Sequence, residues 1–85
     1  MGTTKPIRLR VATESQLMET IAARRRALGL SQRDVAEKLG IAQSYLSLME
    51  SGRRATTMDR LLPLLNILGL EIIVQRTANA VTGQE

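Results

Sequence analysis

The sequence has 85 residues, 44% hydrophobic and 1% aromatic, with twelve Lys and Arg against eight Asp and Glu for a formal net charge of +4. A chain this short makes one domain with a modest core, and association is a common remedy for thin stability. Without cysteine or histidine it has no disulfide, no thiolate or imidazole zinc site and no histidine acid–base catalysis; no apolar run in it reaches the roughly 20 residues that span a bilayer.

The core must be aliphatic, because Tyr45 is the one aromatic residue. The positive balance suits a polyanionic partner. The opening stretch MGTTKPIRLRV holds no apolar segment of signal-peptide length and has no Ser or Thr at position 6 for a myristoylation signal. The expected setting is therefore the cytoplasm, at the nucleoid.

Residues 6–11, PIRLRV, alternate Ile7, Leu9 and Val11 with Arg8 and Arg10, a period of two that predicts a short strand. A helix follows. Thr13 with Gln16 three residues on is spaced as a capping box, Leu17, Ile21 and Leu28 with Ala22 and Ala27 give the apolar stripe, and Gly29 ends it. The run Arg24, Arg25, Arg26 reads as a solvated charged face, apart from a role for Arg25 taken up below.

Ser31 caps a second helix, with Asp34 in its first turn, Val35, Ala36 and Leu39 facing inward and Gly40 as the stop. The third helix, roughly 42–51, turns Leu46 and Met49 inward and stops at Gly52. Asp59 is placed to cap a fourth helix over roughly 60–68, a start that puts Pro63 at the edge of the first turn. Leu61, Leu64, Leu65 and Leu68 supply its core face. Residues 70–76, LEIIVQR, read as a second strand with Leu70, Ile72 and Val74 alternating, while Ile73 suggests that both faces are covered. Residues 1–76 form the single domain in this reading, and 77–85 form a flexible tail with little to bury.

The second and third helices are joined at Gly40 with almost no loop, so they must cross steeply. Ala36 provides the small residue for the crossing, Gly40 tolerates positive φ, and Leu46 and Met49 clamp the second member, with Val35, Leu39 and Ile41 completing the wedge. Taken together, Ala36, Gly40, Ile41, Leu46 and Met49 have helix-turn-helix spacing. In that motif the N-terminal residues of the second helix meet base edges in the major groove. The candidate base readers are Ala42, Gln43, Ser44, Ser47 and Tyr45. Gln43 has the donor–acceptor pair that matches adenine, and Ser44 and Ser47 can bond to bases or phosphates. The candidate phosphate contacts are Gln32 and Arg33 at the start of the second helix and Arg53 and Arg54 after the third.

The segment GLSQRDVAEKLGIAQSYLSLMESGRR resembles the Xre/Cro-type helix-turn-helix regulators, which include phage repressors, over roughly residues 14–69. The resemblance rests on GLSQ, AEKLGI and SLMESG. It implies that Gln32 meets phosphate, that Ala42, Gln43 and Ser44 read bases, and that Arg25 forms an ion pair with Glu50 that fixes the reading helix. With a strand-like segment directly after LNILG, the layout is similar to HipB-type antitoxins. That similarity implies an operator-binding homodimer joined through its C-terminal strand and a HipA-type kinase toxin as a further partner.

The fold expected is thus mainly α: a four-helix, phage-repressor-like helix-turn-helix domain. Its C-terminal strand (Leu70, Ile72, Ile73, Val74) and short N-terminal strand would build a small sheet at a dimer interface, since a lone strand leaves its edge bare. The function expected is sequence-specific repression at a palindromic double-stranded operator, as an autoregulating antitoxin. A stand-alone phage-type repressor and a helix-turn-helix protein-interaction module remain alternatives. No cofactor, no metal, no membrane and no enzymatic activity are expected, since no phosphate-cradling glycine loop and no pocketed carboxylate pair are legible. One aromatic residue also argues against stacking on RNA bases.

Overall fold

The structure, a computed structural model, describes residues 7–78. Four helices follow in order: α1 (Glu14–Ala27), α2 (Gln32–Leu39), α3 (Gln43–Glu50) and α4 (Met58–Ile67). α2 packs on α3 and α4, and α1 packs on α3.

The starts of α1 and α2 are held by side-chain caps. The Gln16 backbone N–H donates to Thr13 Oγ1 (3.1 Å), and Gln16 Oε1 accepts from the Ala12 N–H (2.7 Å), one residue before the position a capping box would use. α2 has the full reciprocal box: Asp34 N–H donates to Ser31 Oγ, and Ser31 N–H to Asp34 Oδ2, both at 2.9 Å. α3 and α4 begin at Ala42 and Thr57 without a side-chain cap. Gly40 closes α2 at φ 71°, in the left-handed region that a side chain disfavours.

The core gathers Met18 and Ile21 of α1, Val35 and Ala36 of α2, Leu46 and Met49 of α3, and Leu61, Leu64, Leu65 and Leu68 of and after α4. On α1 this differs from the stripe read in the sequence. Leu28 is exposed, Leu17 is half-buried, and the inward face is Met18, Ile21, Ala22 and Arg25. That is i, i+3, i+4, i+7 spacing with an arginine in the last place, so a hydrophobicity pattern lost the stripe's final member and drifted off it.

Arg24 is exposed, as the charged run implies, but it also makes a tertiary contact. Its Nε donates to the Leu68 carbonyl (2.8 Å), which ties α1 to the C-terminal end of α4, where a cation is favoured. α4 starts two residues earlier than expected, with Thr57 and not Asp59 in the N-cap position and no side-chain cap. Pro63 therefore lies inside the helix and leaves the Asp59 carbonyl without its i+4 donor.

The two expected strands are corrected. Among the described residues neither 7–11 nor 70–76 forms a strand, so Leu70, Ile72, Ile73 and Val74 build no sheet here. Leu70 N–H donates to the Leu65 carbonyl (2.8 Å) and its side chain packs against the core, after which the chain is exposed. Alternation marks a segment whose side chains want two environments, but a strand also needs a backbone partner, and within one chain these segments supply none to each other. Pro6 and residues 79–85, with most of the expected flexible tail, lie outside the described residues.

Candidate nucleic-acid interface

α2 and α3 meet through a turn of three residues, Gly40 to Ala42. The Ile41 N–H donates back to the Ala36 carbonyl (3.0 Å), so the turn is fixed by α2's own last carbonyls. Val35 and Ala36 from one side and Leu46 and Met49 from the other are all buried, which fixes the crossing. These constraints leave one side of α3 outward. Ala42, Gln43, Ser44 and Ser47 are exposed, and Leu48 is half-buried. Among the described residues, the side chains of Gln43, Ser44 and Ser47 make no hydrogen bond. The uncapped first turn adds free backbone donors beside them.

The angle of α3 is held from behind by a buried polar cluster. Arg25 Nε donates to Glu50 Oε2 (2.8 Å) and Arg25 Nη2 to Glu50 Oε1 (3.1 Å), while Nη1 donates to the Leu30 carbonyl (2.9 Å). Gln32 Nε2 donates to the same Glu50 Oε1 (3.0 Å). The two charged side chains are 10% and 6% exposed, so the pair is shielded from solvent and every polar atom in it is used. One carboxylate therefore collects donors from α1 and α2 and ties both to the last turn of α3.

The expected contact residues divide. Arg53 and Arg54 follow α3 and are exposed, as is Arg33, whose nearest carboxylate is Glu37 at 3.9 Å. Gln32 is half-buried with its amide turned to Glu50, and the first turn of α2 is partly satisfied by the Ser31–Asp34 box. The Asp34 carboxyl is held below its ordinary range, first by the hydrogen bond from the Ser31 backbone and then by the Ser31 side chain. Tyr45 is not on the free face. It is half-buried, with the guanidinium carbons of Arg54 and Arg60 each 4.9 Å from its ring centroid. Contacts of this kind contribute about 0.5–1 kcal/mol each at exposed sites. Arg60 was not read as a site residue: nothing in its local sequence distinguishes it from a solvated cation.

Two helices packed together across a three-residue turn, the second with a free polar face, define a helix-turn-helix domain. The profile of the helix-turn-helix family matches residues 21–74, and the chain belongs to that family. Among solved structures it is similar to HipB in a HipA-HipB-O2-O3 complex, at TM-score 0.73 and 26% identity, covering 81% of this chain and 97% of that one. A HipB variant in complex with an O2 20mer has the same fold, at TM-score 0.74 and 24% identity, covering 82% and 97%. No curated protein matches the sequence. Among the described residues no group of acidic or ligating side chains is arranged to hold a metal, and no helix is long and apolar enough to cross a membrane.

Proposed function

We propose that the protein is a sequence-specific double-stranded DNA-binding repressor that works as a homodimer and serves as the autoregulating antitoxin of a HipA/HipB-like pair. The observation that carries the DNA reading is the exposed, unsatisfied opening of α3. Gln43, Ser44 and Ser47 face outward without partners while the buried Arg25–Glu50–Gln32 cluster fixes the helix that presents them. Such a face is poised for base edges in the major groove. Arg33 on α2 and Arg53 and Arg54 just after α3 are exposed cations on the flanking segments, and the uncapped N–H groups of α3 and α4 add donors suited to phosphate.

Dimerisation is supported by the apolar residues that one chain leaves uncovered. Ile73 is 52% and Val74 92% exposed, with Ile72 beside them, and Ile7 and Leu9 are likewise bare. Pairing of 70–76 with its two-fold mate would give these backbones partners and cover those side chains. Two copies of α3 would then address half-sites one duplex turn apart, roughly 34–36 Å, in a palindrome. The kinase toxin enters by similarity alone, since the HipB structure that resembles this chain is a complex with HipA. A repressor without a toxin remains the second reading, and co-purification with the product of a neighbouring kinase-like gene separates the two.

The test of the DNA reading is selection of bound duplexes from a random pool. Wild type should enrich palindromes with half-sites one turn apart. Gln43→Ala should lose about 1–3 kcal/mol and relax preference at one base pair in each half-site. Equal enrichment by both proteins would remove Gln43 from base reading, and no enrichment by wild type would remove the function.

A further inference from the structure

Tyr45, Arg54 and Arg60 form a unit that the helix-turn-helix motif does not require. The ring projects from the first turn of α3, Arg54 comes from the following loop and Arg60 from the first turn of α4, and each guanidinium carbon is 4.9 Å from the ring centroid. One half-buried ring thus gathers cations from two elements. The arrangement leaves two like charges close together in the free chain. Both cations contact one ring, so their charges lie within about one Debye length (roughly 8–10 Å) and repel. Arg60 also sits at the positive end of α4's dipole. Among the described residues neither arginine has an ion-pair partner, and both are exposed. A polyanion lying across the pair would relieve that repulsion and be attracted by both charges and by the helix end.

We propose that Arg60 is a phosphate-contacting residue, and that Tyr45 is a positioning residue which holds Arg54 and Arg60 as a two-pronged clamp on the sugar–phosphate backbone beside the groove that α3 enters. This rests on the DNA-binding reading above and adds a side chain of α4 to the interface. It also gives Tyr45 a task other than base reading: a ring fixes the direction of two long side chains that solvent would otherwise leave free, so less freedom is lost when phosphate is bound.

The test uses the full chain and a fluorescein-labelled, mixed-sequence 30-base-pair duplex, with affinity measured by anisotropy between 50 and 200 mM NaCl. Each phosphate contact adds about 0.9 to the slope of log affinity against log salt. Arg60→Ala should therefore lower the slope, and the wild-type advantage should shrink about 3.5-fold per lost contact across that fourfold change in salt. Tyr45→Leu should weaken binding several-fold while Tyr45→Phe, which keeps the ring, binds like wild type. Adding Tyr45→Leu to Arg60→Ala should weaken binding less than the product of the single effects, because the ring acts partly through Arg60. The proposal is overturned by an unchanged slope in Arg60→Ala, by equal losses in Tyr45→Leu and Tyr45→Phe, or by single effects that multiply fully. Failure of the wild type to bind this duplex at 50 mM salt would overturn the DNA reading as well, which separates the two.

Discussion

Removing the Arg25 guanidinium should be the most damaging single change outside the apolar core. Arg25→Met deletes three hydrogen bonds at once, two to Glu50 at 2.8 and 3.1 Å and one to the Leu30 carbonyl at 2.9 Å. It leaves a carboxylate 6% exposed, with only the Gln32 amide to face it. Breaking a buried pair from one side costs about 3–5 kcal/mol, because the remaining charge is neither paired nor hydrated. A domain of 85 residues has a total stability of about 4–13 kcal/mol at roughly 0.05–0.15 kcal/mol per residue, so the loss is a large share of what holds the fold. At about 4–8 °C per kcal/mol for a domain of this size, the midpoint should fall by at least about 12 °C.

The informative comparison is the double variant Arg25→Met/Glu50→Leu. It removes both charges together and should recover most of the loss, since a buried pair replaced by apolar groups is often neutral or better. Urea unfolding followed by far-UV circular dichroism, at one fixed protein concentration because association adds to apparent stability, measures all four corners of the cycle. A loss below about 1 kcal/mol in Arg25→Met, or a double variant no better than the sum of the singles, would refute the argument that the charges are shielded and mutually dependent.

Three further outcomes are expected. Gly40→Ala should cost about 1–2 kcal/mol by thermal unfolding; a Cβ at this position meets nothing within 4 Å, so the whole cost is the left-handed backbone at φ 71°. Asp34→Asn should flatten the acid limb of the stability profile. The folded-state pKa of Asp34 is depressed, so its contribution is present above the unfolded value and lost as pH falls through the folded one; a scan of melting temperature from neutral into the acid range should show wild type and variant converging. Ile73→Lys should shift a dimer to a 9.4 kDa particle in light scattering and weaken duplex binding, while leaving the helical spectrum of the four helices intact.

What the sequence determined by itself is local. The Thr13 and Ser31 caps, the stops after α1 and α2 and the Leu61–Leu64–Leu65–Leu68 face follow from spacing within single elements, and the Ala36–Gly40–Leu46–Met49 constellation fixes one short turn between two neighbours. Tertiary structure decided everything that joins distant elements. It placed Arg25 on α1's inward face, where an arginine is tolerated only because Glu50 arrives from α3, and this is why the apolar pattern of α1 misled. It drew Arg24 to the end of α4 and turned Gln32 to Glu50. It took Tyr45 from the exposed face of α3 and set it against Arg54 and Arg60, the latter a residue that no local rule distinguishes. The alternation at 70–76 was legible, but pairing needs a second backbone. A side chain's periodicity is a property of its own chain segment; the neighbour that satisfies it is a property of the packing.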